Sequence, residues 1–419
     1  MSGAANTKRQ PTSIFFSRWV EQVGHVTELE PTGLARGFRA AGVAAGLKPD
    51  GLDVGVLASD EPATVSAARF TTNARVGAPV IASREAQLER LRAVVANSGG
   101  SNTGDGQRGL ETARATQALA GELLGIAPEQ VGVASTGVIG TELPRQPLLD
   151  GVREAVSRLG HDAAAFSEAI LTSDRAPKRA CVEVALPSGR VTLSAQAKGA
   201  GMISPRFATM LCFVQTDAAA SAQTIDLLTG VTVKRSFDRI SVDGQLSTSD
   251  TVFVMANGAS GVRVEPETED ELRLGEAMDA VMRSLALRIV ADGEGTRRVG
   301  RIVVRGAEQS VEPVARAIAN SNLVKTALHG GDPNFGRILQ AAGMAWPAGE
   351  PFVADLEIEG RPVVSAGEAV LGDLRELEPL VQGEEVQYAL TIPGSGGETE
   401  VFFADLSPEY VRFNSEYTT

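Results

Sequence analysis

A chain of 419 residues is too long for one small domain and long enough for two or three layered cores. Its formal net charge of -13 repels a phosphate backbone over most of the surface, which argues against a nucleic-acid partner. The 43% hydrophobic and 22% charged residues are those of an ordinary globular protein, and no apolar run reaches the length of a bilayer span.

Residues 1–32 read as an N-terminal extension. Its apolar stretch SIFFSRWVEQVGHV is broken by Arg18 and Glu21 and makes a poor signal peptide. Two readings stay open for it, a short amphipathic segment packed on the body or a neighbour, and a loose tail. From Gly37, GFRAAGVAAGLKPDGLDVGVLASDEP reads as short strands separated by Gly and Asp turns. SREAQLERLRAVV spaces Leu88, Leu91 and Val95 as one helical face, although AVVAN serves equally as the next strand. The loop NSGGSNTGDG follows, and then GLETARATQALAGELLGI, a helix ending at Gly125, and VGVAS, a strand ending at Thr136-Gly137.

Farther on, VTLSAQAK and TMLCFVQT read as two strands joined by a glycine-containing bend. TEDELRLGEAMDAVMRSLALRIV carries an N-cap, early acids and a long apolar stripe, the clearest helix of the chain. RIVVRG predicts a strand, and VEPVARAIANSNLVKTALHG a helical segment ending near Gly330 and Gly331. Residues 351–413 are strand-rich, with PGSGGE as a turn, and the aromatic tail YVRFNSEYTT is expected to dock. The alternation of strands and helices implies an α/β fold of layered mixed sheets and helices.

Several stretches invite a chemical reading. The two cysteines, Cys181 and Cys212, lie in apolar contexts without metal-ligand spacing, so a reducing, cytoplasmic setting without disulfides is expected. His25, His161 and His329 are too scattered for a zinc site. NSGGSNTGDG lacks the signature of a phosphate-binding loop and reads as a structural loop. HGGDPNFGR reads as a loop that shapes a site, and DGEG, with Glu294, as a helix-ending turn bearing a solvated acid. Thr136-Gly137 pairs a hydroxyl with a glycine that lets a backbone N–H turn into a cleft, the geometry an oxyanion needs.

The most pointed stretch is KGAGMISPRFATML, where Thr209 follows Ala208 at the mouth of an apolar strand. A threonine hydroxyl is a weak nucleophile unless a base adjoins it. At a chain terminus its own α-amine, of pKa roughly 7.7–8.0, supplies that base. Cleavage between Ala208 and Thr209 would create such a residue.

That stretch resembles the self-processing motif of the ornithine acetyltransferases, also called glutamate N-acetyltransferases, the arginine-biosynthesis bifunctional family. GFRAAGVAAGLK, ASTGVIG, LTSDRAPK, SVDGQLSTSD, ADGEGTRR, NLVKTALHGGDPNFGRI and NSEYTT match the family's blocks in order, from about Gly33 to the C-terminus. The resemblance implies an N-terminal-nucleophile fold of the kind shared with self-cleaving aminopeptidases. It divides the chain into an alpha part, 33–208, and a beta part, 209–419, intertwined and assembling as two of each.

It further implies that Thr209 is the nucleophile, that Thr136 and Gly137 form the oxyanion hole, and that Thr172, Lys198, Thr209, Glu294, Asn414 and Thr419 bind substrate. The implied reaction moves acetyl from N2-acetylornithine to glutamate by a ping-pong route, without metal or tightly bound cofactor, acetyl-CoA standing as an alternative donor. Small amino acids are the implied partners, with no nucleic acid and no membrane. The sequence departs from the family's usual residues at Gly100 (Asn), Ser173 (Thr), Gln245-Leu246 (Asp-Thr) and Phe335 (Trp). Loss of a charge and a hydroxyl at Gln245-Leu246 keeps open a specialised paralogue with another donor or acceptor; a hydrolase of the self-cleaving aminopeptidase type is the further alternative.

Overall fold

The computed structural model describes residues 12–204, 210–370 and 374–416. Strand sequences with alternating apolar residues build two sheets that stack face to face. One sheet has the order Phe38–Val43, Val54–Ser59, Ala93–Asn97, Val131–Ser135. The other has the order Val26–Glu28, Lys178–Leu186, Gly189–Lys198, Leu211–Thr216, Thr251–Ala256, Val65–Phe70.

The period of two along each strand sends alternate side chains to opposite faces. Phe213, Phe253 and Met255 therefore join Val94, Ala96 and Ala134 between the sheets, whereas Val214, Val252 and Val254 face the other way. That outer face is covered by the helices Ala222–Arg235 and Glu269–Ala291, and the outer face of the four-stranded sheet by Gly106–Leu124 and Arg145–Ser157. The result is a helix–sheet–sheet–helix sandwich. A third, seven-stranded sheet carries its own core with the helices Glu308–Ala319 and Phe335–Met344.

Most expected elements form. The helix ending at Gly125 does so with that glycine left-handed at φ 67°, and Gln117, which interrupts its apolar face, donates to the Val131 carbonyl at 2.8 Å. Thr268 caps the long helix by accepting from the Glu271 N–H, with three acids in the first turn offsetting the helix dipole. The strands Gly189–Lys198 and Leu211–Thr216 pair antiparallel, Lys198 opposite Leu211. Residues 410–416 of the tail belong to the helix Pro408–Glu416, which docks through Tyr410 on Asp243 and Asn414 on Glu294.

Two expectations need correction, and one choice left open is decided. Leu88 and Leu91 lie in turns between the helix Ala78–Arg84 and a strand that begins at Ala93, so AVVAN is the strand and the helix stands earlier, started by Pro79. The segment after RIVVRG is two helices, broken at Asn320 because Ser321 caps the second, Asn322–Gly330. Of the extension, residues 12–28 pack on the body, with Ile14, Trp19 and Val20 buried and Val26–Glu28 added to a sheet edge.

The short helix Ala164–Ala169 seats against Phe38–Val43 because Gly42 leaves no side chain there; a Cβ at Gly42 would lie 2.1 Å from the Ala165 carbonyl oxygen. This helix runs into the turn that bears Thr172, Ser173 and Asp174. Asp174 is buried between two lysines: Lys178 Nζ contacts its Oδ1 at 2.6 Å and Asp292 at 2.6 Å, while Lys198 Nζ stands 4.0 Å from its Oδ2. The same carboxylate accepts from the Gly199 N–H at 2.6 Å and the Thr172 N–H at 3.2 Å. Burial alone would raise the Asp174 carboxyl, but the charges of Lys178 and Lys198 and these hydrogen bonds outweigh it and hold it well below the usual carboxylate range.

Gly42→Ala is expected to lose about 1–3 kcal/mol or more of stability through overpacking, read from the urea midpoint at constant slope. Asp174→Ala strands Lys178 beside a single carboxylate and should cost about 3–5 kcal/mol. Since Asp174 titrates lower folded than unfolded, its contribution is complete above roughly pH 4 and fades as pH falls toward its folded value. The stability gap between the parent and Asp174→Asn, followed by denaturation across acid pH, should therefore narrow on acidification.

Candidate functional site

Strand ends and helix ends converge on one cavity of about 370 Å³, lined among others by Thr136, Gly137, Thr172, Ser173, Lys198, Glu294 and Asn414. That volume is in the range of small-molecule sites. A larger groove, about 800 Å³, runs between the helices Ala222–Arg235 and Glu269–Ala291, and none of the sequence-predicted residues lines it.

Thr136 and Gly137 leave the end of the strand Val131–Ser135. The Thr136 N–H is taken by the Asn97 carbonyl at 3.0 Å, whereas among the described residues no backbone carbonyl accepts from the Gly137 N–H. Gly137 has φ 126°, and a Cβ there would sit 2.7 Å from the Gly100 nitrogen. Only glycine fits this turn, because its backbone lies directly on Gly99 and Gly100. NSGGSNTGDG is thus a structural loop whose glycines support that turn.

Lys198 ends the strand Gly189–Lys198 and is 2% exposed. Its Nζ donates to the Thr172 hydroxyl at 2.7 Å and the Thr136 hydroxyl at 3.1 Å. Each hydroxyl, accepting from an ammonium, has its own hydrogen free to donate elsewhere, and the cation behind it makes it a stronger donor. Burial lowers the Lys198 pKa, with Asp174 opposing.

Glu294 lies just past the long helix and is 8% exposed, which corrects the reading of a solvated acid. Burial there is tolerated because Ser173 Oγ donates to its Oε1 at 2.6 Å and Asn414 Nδ2 to its Oε2 at 2.8 Å. The serine that replaces the family's usual threonine at 173 therefore keeps the hydroxyl in use. Gly201 makes room for this carboxylate, since a Cβ would meet it at 2.6 Å. Gln245 also lines the cavity, Leu246 contributes its carbonyl to Asn73, and Phe335 starts a helix of the third sheet's layer.

Ala208, Thr209 and Thr419 lie outside the described residues. The structure does define the flanks of the stretch that holds the first two. Asp243 accepts from the Met202 and Ile203 N–H groups at 2.6 and 2.8 Å and from the Tyr410 hydroxyl at 3.3 Å. Asp250, 1% exposed, accepts from the Met210 N–H at 3.0 Å through Oδ1. Burial raises both carboxyls, Asp250 far above its ordinary value. These two anchors, and Asp174, escaped the reading of the residues. The spacing of Asp174 and Lys178 in LTSDRAPK was the available signal, since an i, i+4 acid–base pair in a turn region has no helix to serve. No residue of HGGDPNFGR, expected to shape a site, lines the cavity; the segment joins two helices, with His329 Nδ1 paired to Asp405 at 2.7 Å and Asn334 capping the second.

Among the described residues no helix is long and apolar enough to cross a membrane, and no three His, Cys, Asp or Glu side chains group as a metal site. The model of the ArgJ family matches residues 39–419. The arginine biosynthesis bifunctional protein ArgJ of Nitratidesulfovibrio vulgaris is 41% identical, over 91% of this chain and 98% of its own. A glutamate N-acetyltransferase of Methanocaldococcus jannaschii is 38% identical, over 92% and 97%. A crystal structure of ornithine acetyltransferase complexed with ornithine, from Mycobacterium tuberculosis, is 34% identical and covers 43% of this chain and 98% of that one, at a TM-score of 0.40. With a family model spanning nearly everything beyond the N-terminal extension, and relatives this similar along their whole length, the chain belongs to the ArgJ family.

Proposed function

We propose that this cavity is an acyl-transfer site that moves the acetyl group of N2-acetylornithine to glutamate through an ester on Thr209, formed after the chain cuts itself between Ala208 and Thr209. The observation that carries the reading is the convergence on one cavity of two polarised hydroxyls and a glycine N–H, with the strand that Thr209 precedes paired to the strand that ends at Lys198. Lys198 sits opposite Leu211, two residues beyond Thr209, and its ammonium reaches both Thr136 and Thr172. Family membership and the names of the relatives support the same reaction class.

In the proposed cycle the Thr209 hydroxyl adds to the acetyl carbonyl and passes its proton to its own α-amine. The Thr136 O–H and the Gly137 N–H donate to the oxyanion that forms, and the ammonium behind Thr136 strengthens that donor. Collapse breaks the C–N bond, the proton moves from the α-ammonium to the departing nitrogen, and ornithine leaves. The glutamate amine then attacks the ester, and Thr209 recovers its proton as N-acetylglutamate departs. Glu294 and Lys198 hold the charged groups of the amino acids. The cleaved alpha and beta chains assemble as two of each, and the enzyme works in the cytoplasm. A second reading, the same chemistry with another donor or amine, draws on Gln245, a neutral side chain at the cavity wall where the family usually places an aspartate.

Denatured intact mass should resolve two fragments meeting between Ala208 and Thr209, and a single full-length chain for Thr209→Ala. Incubation with N2-acetylornithine should add one acetyl group to the beta fragment. An uncut, unacetylated parent chain would overturn the acyl-enzyme route, and transfer only from other donors would favour the second reading. Gly137→Ala should lower kcat by about 10²–10³ with smaller change in KM, since a misplaced donor affects the oxyanion more than the bound substrate.

A further inference from the structure

If the site serves both amino acids, one cavity must accept two different charge patterns. N2-acetylornithine brings an α-carboxylate and a side-chain ammonium, and glutamate brings an α-carboxylate and a side-chain carboxylate. Glu294 meets the cation of the first. Two carboxylates on the second call for two cations, and among the described residues lining the cavity the cations are Lys198 and Lys48. Lys198, with two of its three hydrogens on Thr136 and Thr172, has one left for the α-carboxylate that both amino acids share.

Lys48 is presented by a built loop. The Asp53 carboxylate, fully buried, accepts from the N–H groups of Ala45 at 2.6 Å, Leu47 at 2.7 Å and Lys48 at 3.3 Å. This loop rests on Gly99, where a Cβ would lie 2.5 Å from the Leu47 carbonyl oxygen, and Gly99 in turn underlies Gly137. The Lys48 ammonium donates to the Leu171 carbonyl at 3.0 Å, beside Thr172 and Ser173 in the chain. An ammonium has three hydrogens, and this is the one hydrogen bond it makes among the described residues. Burial pulls the Lys48 pKa down, against the pull of Asp53 and Asp174, which describes a cation partly stripped of water and short of a facing anion.

We infer that Lys48 is the specificity-determining residue for the acceptor, pairing with the side-chain carboxylate of glutamate. The assignment rests on the acetyl-transfer reading above. It makes the preferred acceptors amino acids with an acidic side chain, and it leaves formation of the acetyl-enzyme independent of Lys48.

The test separates the two half-reactions. Single-turnover release of ornithine from N2-acetylornithine reports the donor half, and the ratio of kcat/KM for glutamate to that for glutamine, its neutral isostere, reports the acceptor half. Lys48→Met is expected to keep ornithine release near the parent rate while the glutamate preference falls about tenfold to hundredfold, the loss of one charge-assisted hydrogen bond. Lys48→Arg, which keeps the charge, should hold most of the preference. An unchanged preference in Lys48→Met, with ornithine release intact, would overturn the assignment and leave the transfer reading standing. Equal loss of both half-reactions in both variants would also overturn it, since Lys48 would then serve the fold or the donor. A parent enzyme that releases no ornithine would sink the acetyl-transfer reading itself, and the assignment with it.

Discussion

The buried carboxylate of Asp174 is the constraint on which the site depends. It ties together three parts of the chain: the turn with Thr172 and Ser173, the strand Lys178–Leu186, and the glycine bend after Lys198. Lys178 carries the link onward to Asp292, at the end of the long helix, and so sets where Glu294 emerges. Ion pairs of this kind add little net stability, because removing both charges from water costs nearly what their attraction returns. Their value here is geometric. An unpaired charge in this interior is so unfavourable that few other arrangements of the turn, the bend and the helix end can compete.

On the acyl-transfer reading, Lys198 turns that geometry into chemistry. Held near Asp174 and away from water, it points its ammonium at two hydroxyls rather than at solvent. A hydroxyl that accepts from a cation on one side becomes a better donor on the other, so the charge is felt at the cavity through Thr136 and Thr172. Gly137 supplies the second kind of donor, a backbone N–H, at a φ that a residue with a side chain would resist. Donors fixed in this way need no rearrangement when charge develops, which is the main source of rate in acyl transfer.

Much of the site was legible as sequence blocks, and the reason is local. Thr136-Gly137 stands at a strand end and Lys198 before a glycine bend, positions where neighbours in the chain already dictate the backbone. The misreadings arose where distant parts of the chain intervene. Glu294 looked solvated because its partners, Ser173 and Asn414, are 121 and 120 residues away. Leu88 and Leu91 have helical spacing, but Leu91 is buried between the sheets, with Phe253 and Ala134 in the same cluster, and turn geometry serves that burial as well as a helix would. Asp250 stands in the polar block SVDGQLSTSD, and the Met210 N–H that it accepts from is 40 residues away.

The sequence by itself determined the period-two strands, the capped helices and the layered α/β class, since these follow from side-chain alternation and from terminal hydrogen bonds within a few residues. It also carried the family resemblance and, through it, the expected reaction. Tertiary structure alone decided which carboxylates are buried and what each holds, how the extension docks, and that Lys48 reaches the same cavity as Lys198 across the glycine loop. The partners of Glu294 and Asp292 stand more than a hundred residues away, and no local pattern encodes that distance.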